Sequence, residues 1–188
     1  MDTKGELLRV LQGARVGLLG KLEGLGEYEL RRPLVPTGTN LLGLVKHLAG
    51  LEHGYLGEAV GRVPVVRPSW FREDVSTEID MWATPDESSE YVVGMYRRLA
   101  AHSDRSVADL ELDSPAYVAH WSDGHRDTTL GVLLIRMLAE TSQHTGHADI
   151  LREQLDGGLG GGTTVADDEA FWSDRRAQVQ AAADHFRP

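Results

Sequence analysis

The stretch LGVLLIRMLAETSQHTGHADILREQL, from Leu130 to Leu155, decides the reading of this chain. Apolar residues recur along it at three- and four-residue steps, the period of a helix that turns one face to a core. Thr128 or Thr129 stands where such a helix starts, and Asp156-Gly157 where it ends. Leu133, Met137, Glu140, His144, His147 and Leu151 are spaced 4, 3, 4, 3 and 4, so they share a face. The ends of that stripe are apolar and its middle is Glu-x3-His-x2-His. Ionisable groups on a core-facing stripe each need a partner, because burying them unpaired is costly.

Other helices lie on either side of this one. Thr3 and Glu6 read as a capping box ahead of Leu7, Leu8, Leu11, Ala14, Leu18 and Leu22, which predicts a helix over Thr3–Leu22 stopped by Gly24 and Gly26. Pro33, Pro36 and Gly38 mark a turn, with Thr37, Thr39 or Asn40 available to cap a second helix. That helix carries Leu41, Leu44, Val45, Leu48, Leu51, Tyr55 and Val60 and closes at Gly61. Arg62 to Ala83, with Pro64, Pro68, Trp70, Phe71 and Trp82, is long for a connection and is expected to cross the bundle or cover a site. Thr84-Pro-Asp-Glu87 predicts the start of a third helix bearing Tyr91, Val92, Met95, Tyr96 and Leu99, whose pattern dissolves after about Ala101. Tyr117 to Trp121, followed by Asp123-Gly124, reads as a short strand entering a turn. Gly157–Gly162 reads as a flexible connector, and a last helix runs from about Asp168 to His185. The expected fold class is all-α. One domain over residues 1–188 forms a four-helix bundle with one long crossover, plus a C-terminal helix.

Composition narrows the partners. The 188 residues hold 19 Lys+Arg against 29 Asp+Glu, a formal net charge of −10, which argues against nucleic acid or an anionic membrane surface as the main partner. With no cysteine, the chain has no disulfide, thiolate metal ligand or thiol nucleophile of its own. Its longest run without Asp, Glu, Lys or Arg, Pro33 to Val45, covers 13 residues, too few to span a bilayer. Met1 to Glu6 does not open a signal peptide. The expectation is a soluble cytoplasmic domain with a small-molecule substrate, no nucleic acid and no membrane. Helical bundles of this size commonly pair as homodimers, though no stretch of sequence marks an interface. Gly157–Gly162 fails both the dinucleotide and the P-loop pattern, since Thr163 stands where a third glycine belongs and no Lys follows.

A second break in an apolar stripe falls on the second helix, where His47 lies between Leu44 and Leu51. Imidazole is the commonest metal ligand, and one ligand from a helix plus two from a facing helix close a tripod around one ion. Plainer readings stand beside this. A lone buried histidine is usually a hydrogen-bonded core residue, Glu140 suits an ion pair with Arg136, and His144 and His147 suit the wet mouth of a bundle. Trp70, Trp82 and Trp121 suit either a wall over a site or plugs at the bundle ends. Arg152 suits a cosubstrate carboxylate or an ion pair within its own helix, and His102, His120, His125 and His185 suit the surface.

The run Leu42-Gly-Leu-Val-Lys-His47-Leu-Ala-Gly-Leu-Glu52, taken with Glu140-Thr-Ser-Gln-His144-Thr-Gly-His147-Ala-Asp-Ile-Leu-Arg152-Glu153, resembles the DinB/YfiT-like superfamily, in particular its actinobacterial branch. That resemblance covers nearly the whole chain. It implies a four-helix bundle holding a divalent metal, usually zinc or nickel, by one side chain from the second helix and two from the later one. It also implies relatives such as mycothiol-dependent maleylpyruvate isomerase and S-transferases that use bacillithiol or mycothiol. Gln143 stands four before His147, where the commonest His-x3-His spacing would need histidine. Two ligand registers follow. The favoured set is His47, His144 and His147, with Glu140 outside it orienting an imidazole; the alternative pairs Glu140 with His144. The resemblance therefore implies a divalent-metal-dependent transferase that joins a low-molecular-weight, mycothiol-like thiol to a small electrophile. Trp70, Trp121 and Arg152 are its candidate substrate contacts. The rival expectations are a non-catalytic metal- or ligand-binding bundle and a metal-assisted hydrolase.

Overall fold

In the computed structural model, which describes residues 2–71, 79–160 and 162–187, the chain is an all-α bundle. Four long helices build it: α1 (Thr3–Gly20), α3 (Leu41–Tyr55), α4 (Ser89–Asp109) and α5 (Leu130–Asp156), with a short α2 (Glu27–Arg31) after the first. Helix α1 packs on α5, and α3 packs on both α4 and α5. Leu11 and Leu18 of α1, Leu44 and Leu48 of α3, Val92 and Leu99 of α4, and Leu133 and Met137 of α5 meet in a closed apolar core. Each such side chain contributes about 1.5–3 kcal/mol on leaving water. Through that core runs a polar tie. The Arg15 guanidinium donates to both carboxylate oxygens of the fully buried Glu52, at 2.7 and 2.8 Å, and also reaches Asp104 on α4. None of the described helices is long and apolar enough to cross a membrane.

Helix boundaries follow local chemistry, with several corrections to the sequence expectations. Asp2, rather than Thr3, caps α1, its carboxylate accepting the Gly5 N–H at 2.7 Å. Of the three candidates Asn40 caps α3, accepting from Gly43 N at 2.8 Å. That helix ends at Tyr55, and a 3-10 turn at Glu58–Val60 fills the gap before Gly61, whose φ of 71° needs no Cβ. Thr84–Glu87 is not the first turn of α4. It closes a separate turn, and Ser88 caps the helix through Tyr91 N. Helix α4 also continues past Ala101 to Asp109, because Ser103, Ser106 and Val107 keep its inner face buried. The expected strand lies two residues earlier, at Pro115–Tyr117, paired antiparallel with Asp127–Thr129. The glycine run is no free connector: Gly158–Gly160 pairs with Thr163–Thr164. Asp168 then caps α6 (Glu169–Asp184), which buries none of its residues.

The described turns of the connection between α3 and α4 lie against α3. The described parts of that connection are Leu56–Phe71 and Ile79–Ser88, and Ile79–Met81 forms a 3-10 turn laid against α3.

Candidate metal centre

Helices α3 and α5 face each other, which brings the two interrupted stripes together. One donor atom each from His47, Glu140 and His144 lie within 4.8 Å of one another, and all three residues are half-buried. The His47 and His144 rings meet edge-on, centroids 5.0 Å apart at 79°. His144 Nε2 stands 3.5 Å from Glu140 Oε2. That is longer than a charge-assisted hydrogen bond of about 2.7–2.9 Å. It matches the edge of about 3.4 Å of a tetrahedron with metal–donor arms of ~2.1 Å. His147 is exposed, with Nδ1 at 3.3 Å from His144 Nδ1.

Protonation favours ligation. Desolvation lowers the His144 pKa, the neighbouring rings of His47 and His147 push the same way, and Glu140 opposes them without reversing the result. His144 is therefore held neutral with a lone pair free at neutral pH, as a ligand must be. His47 Nδ1 lies 2.8 Å from Asp80 Oδ2. With Nδ1–H donating to that carboxylate, the ring is fixed in the tautomer whose Nε2 lone pair is free. Two imidazoles and a carboxylate, without a thiolate, fit a borderline divalent cation such as zinc or nickel.

Asp80 is a residue that sequence reasoning missed, and its placement is built from α3 upward. A Cβ on Gly43 would lie 1.9 Å from the Met81 carbonyl oxygen, so only glycine lets the Ile79–Met81 turn sit this close to the helix. One turn on, Lys46 is fully buried, and its Nζ donates to the Trp82 carbonyl at 2.9 Å and to Glu87 Oε2 at 2.7 Å, beneath the Trp70 ring at 4.9 Å. Glu87 also accepts the Thr84 N–H at 2.9 Å. Burial alone would raise the Glu87 pKa, but Lys46 and the Thr84 N–H outweigh it and hold the carboxyl below its ordinary range. Arg31 of α2 donates to the carbonyls of Thr84 and Glu87 from the other side. A lysine in a run as apolar as Leu41–Leu48 was the available signal. Asp80 had none, because it lies in a connection without periodicity.

The other singled-out residues fall elsewhere. Trp70 is buried against Phe71 and Tyr91. Trp121 packs edge-on to Tyr55 and under the Arg136 guanidinium at 4.4 Å, so Arg136 serves the tryptophan. Trp82 is half exposed. Arg152 is engaged by Asp156 at 2.8–3.0 Å and by the carbonyls of Lys21 and Glu23, on the side of α5 that meets α1. His102 is half-buried. Its Nε2 meets the Arg62 carbonyl at 2.6 Å. His53, which the sequence reading passed over, is fully buried with neither ring nitrogen hydrogen-bonded.

Fold and centre together define a class: a helical bundle whose facing helices converge a mixed imidazole–carboxylate donor set. The family model of mycothiol-S-transferases matches residues 6–157, and the chain belongs to that family. A conserved protein from Enterococcus faecalis, known from its crystal structure, superposes with a TM-score of 0.64 at 13% identity, covering 82% of this chain and 98% of its own. At that identity the likeness concerns the fold. No curated protein matches the chain.

Proposed function

We propose that the chain is a divalent-metal-dependent S-transferase that joins a mycothiol-like thiol to a small electrophile. His47, Glu140 and His144 would hold the cation, zinc or nickel. The observation that carries this reading is the convergence of those three donors from two helices, with Asp80 fixing the His47 tautomer. A cation held by three protein groups keeps an open position and supplies a Lewis acid that lowers the pKa of a thiol. The chain's own groups prepare for that. Asp80 orients one imidazole, burial keeps the second neutral, and Glu140 supplies the single formal negative charge of the donor set. Since the chain has no cysteine, the sulfur nucleophile arrives with the cosubstrate. The thiolate sulfur attacks the electrophilic atom, the S–C bond forms, the leaving group departs with its electron pair, and the thiol proton passes to solvent.

The test is elemental analysis of purified protein, followed by consumption of mycothiol with model electrophiles. About one equivalent of zinc or nickel and chelator-sensitive thiol consumption are expected. His47→Ala should lose the metal. Glu140→Ala and His147→Ala separate the two registers: loss of metal with the first and retention with the second support the set proposed here. A metal-free protein that still consumes thiol overturns the proposal.

A further inference from the structure

Helices α1 and α5 lie side by side and run in the same direction, since the Thr145 hydroxyl donates to the Ala14 carbonyl and, further along both, Lys21 pairs with Asp149. At about 100° per residue, Gly13, Val16 and Gly20 of α1 and Ile135, Ser142 and Gly146 of α5 share the outer side of this pair. All six are exposed. Val16 is 73% exposed and Ile135 55%, two large aliphatic side chains turned to water on adjoining helices. The fold does not call for the glycines beside them. A Cβ added at Gly13, Gly20 or Gly146 would meet nothing within 4 Å, although glycine in a helix interior weakens the helix. The charges at the edges are already matched: Glu6 pairs with Arg9, Lys21 with Asp149, and Arg136 lies over the Trp121 ring. From Val132 to Ile150 no exposed residue of α5 is Asp or Glu, in a chain that holds 29 of them.

We propose that this side seats a second copy of the chain, with α1 and α5 of each copy laid antiparallel across the same helices of the other, about a two-fold axis near Val16 and Ser142. Charge selects that occupant. A side that meets itself sets every unbalanced charge against its like, so it must be neutral. On a chain of net charge −10 this neutral side suits a second copy and offers nothing to a charged partner. Shape places the axis. Gly13 and Gly20 stand on either side of Val16, as Ala139 and Gly146 do of Ser142, so an antiparallel overlay sets Ala139 against the partner's Gly146. With so little bulk between them the facing helices approach to the 8–10 Å of packed helices. Area is sufficient. From Val132 to Ile150 α5 rises about 27 Å, and with α1 beside it the side is about 20 Å wide. That outlines roughly 500 Å² on each copy and about 1,000 Å² for the pair, the size at which specific association begins. The proposal is independent of the transferase reading, because Glu140 and His144 leave α5 on its opposite flank, toward α3.

Sedimentation of the full chain across a dilution series tests this, with an expected mass at high concentration of twice the 20.6 kDa of one chain. Because the chain has no cysteine, a single thiol reports position. Ser142→Cys, beside the axis, brings two Cα atoms within the roughly 4.4–6.8 Å that a disulfide spans and should lock the dimer on mild oxidation. Arg97→Cys, exposed on α4, should not. Gly13→Glu and Gly146→Glu enter open space within the chain, so each should keep or raise the Tm. Each also sets a carboxylate against the facing helix and should raise the dissociation constant at least about tenfold. A monomer at every concentration overturns the proposal, and the Ser142→Cys thiol then tells what covers the side. Free reaction with a chromogenic disulfide marks an open face, and protection marks the chain's own α6 folded over it. A dimer that Ser142→Cys fails to lock, or that either glutamate variant leaves intact, overturns the proposal as well.

Discussion

Replacing Gly43 by alanine is the sharpest probe of how this centre is built. In a helix the exchange ordinarily stabilises by about 0.5–1 kcal/mol, because glycine loses more backbone freedom on folding. Here the new Cβ would lie 1.9 Å from the Met81 carbonyl oxygen, a backbone atom with no rotamer to give. Restoring an ordinary contact of about 3.4 Å requires the Ile79–Met81 turn to lift by roughly 1.5 Å. Asp80 rides on that turn, and a shift of that size takes its carboxylate from 2.8 Å to beyond hydrogen-bond reach of His47 Nδ1. Loss of an outer carboxylate from a metal-binding histidine costs about 10–100-fold in metal affinity. We therefore expect Gly43→Ala to weaken zinc binding by that factor, read by competition with a chelating dye, and to lower the Tm of the metal-free protein. Asp80→Ala should weaken zinc equally with a smaller Tm change. If glycine acts through Asp80, the double variant should bind no more weakly than either single one. The reasoning is refuted if Gly43→Ala raises the Tm and leaves affinity intact, or if the two affinity losses add in full.

Three further outcomes follow from the same contacts. Lys46→Met leaves the Glu87 carboxylate buried without its ion pair, so it should destabilise by about 3–5 kcal/mol in denaturant unfolding, and Lys46→Met with Glu87→Gln should recover much of that. Glu52→Gln strips the buried Arg15 of a full charge partner and should cost a comparable amount, read by the same melt. Glu27 titrates at about 2, held there first by the Ser89 hydroxyl, against the opposing effect of burial, and further by the Ser89 backbone N–H and Arg31. A lowered folded-state pKa contributes stability that is complete above the ordinary carboxylate range and is lost as pH falls from about 4.5 toward 2. Glu27→Gln should accordingly flatten that part of the acid limb of a Tm-against-pH profile, and an unchanged limb would remove Glu27 from the account.

Much of the bundle could be read from period alone, since the stripes on α1, α3 and α5 are long and their caps local. What resisted reading has a common cause: residues whose partners are distant in the chain. Thr84–Glu87 carries every mark of a helix start, yet Lys46, some forty residues earlier, draws the Glu87 carboxylate inward at 2.7 Å, and the segment closes as a turn instead. Asp2 takes the cap in place of Thr3 because its carboxylate, one residue earlier, satisfies the Gly5 N–H. The short α2 lacks a stripe altogether. Its Arg31, which reaches across to the carbonyls of Thr84 and Glu87, explains why it is there.

The centre shows the same division on a finer scale. At about 100° per residue, His147 lies about 60° around α5 from His144, on the side away from the fully buried Thr141 and Ala148. The buried face of α5 takes in Leu133, Met137 and Leu151 of the stripe read from sequence and extends the other way to Leu134, Thr141 and Ala148, which leaves Glu140 half-buried and His147 exposed. Whether Glu140 or His147 joins His47 and His144 sets the net charge that a bound divalent cation would keep. A set of His47, Glu140 and His144 leaves such a cation one unit of positive charge, whereas three neutral imidazoles would leave two. In the proposed set the carboxylate would moderate how strongly a bound cation could acidify a thiol. His147, outside the proposed set, stays exposed with its Nδ1 3.3 Å from His144 Nδ1.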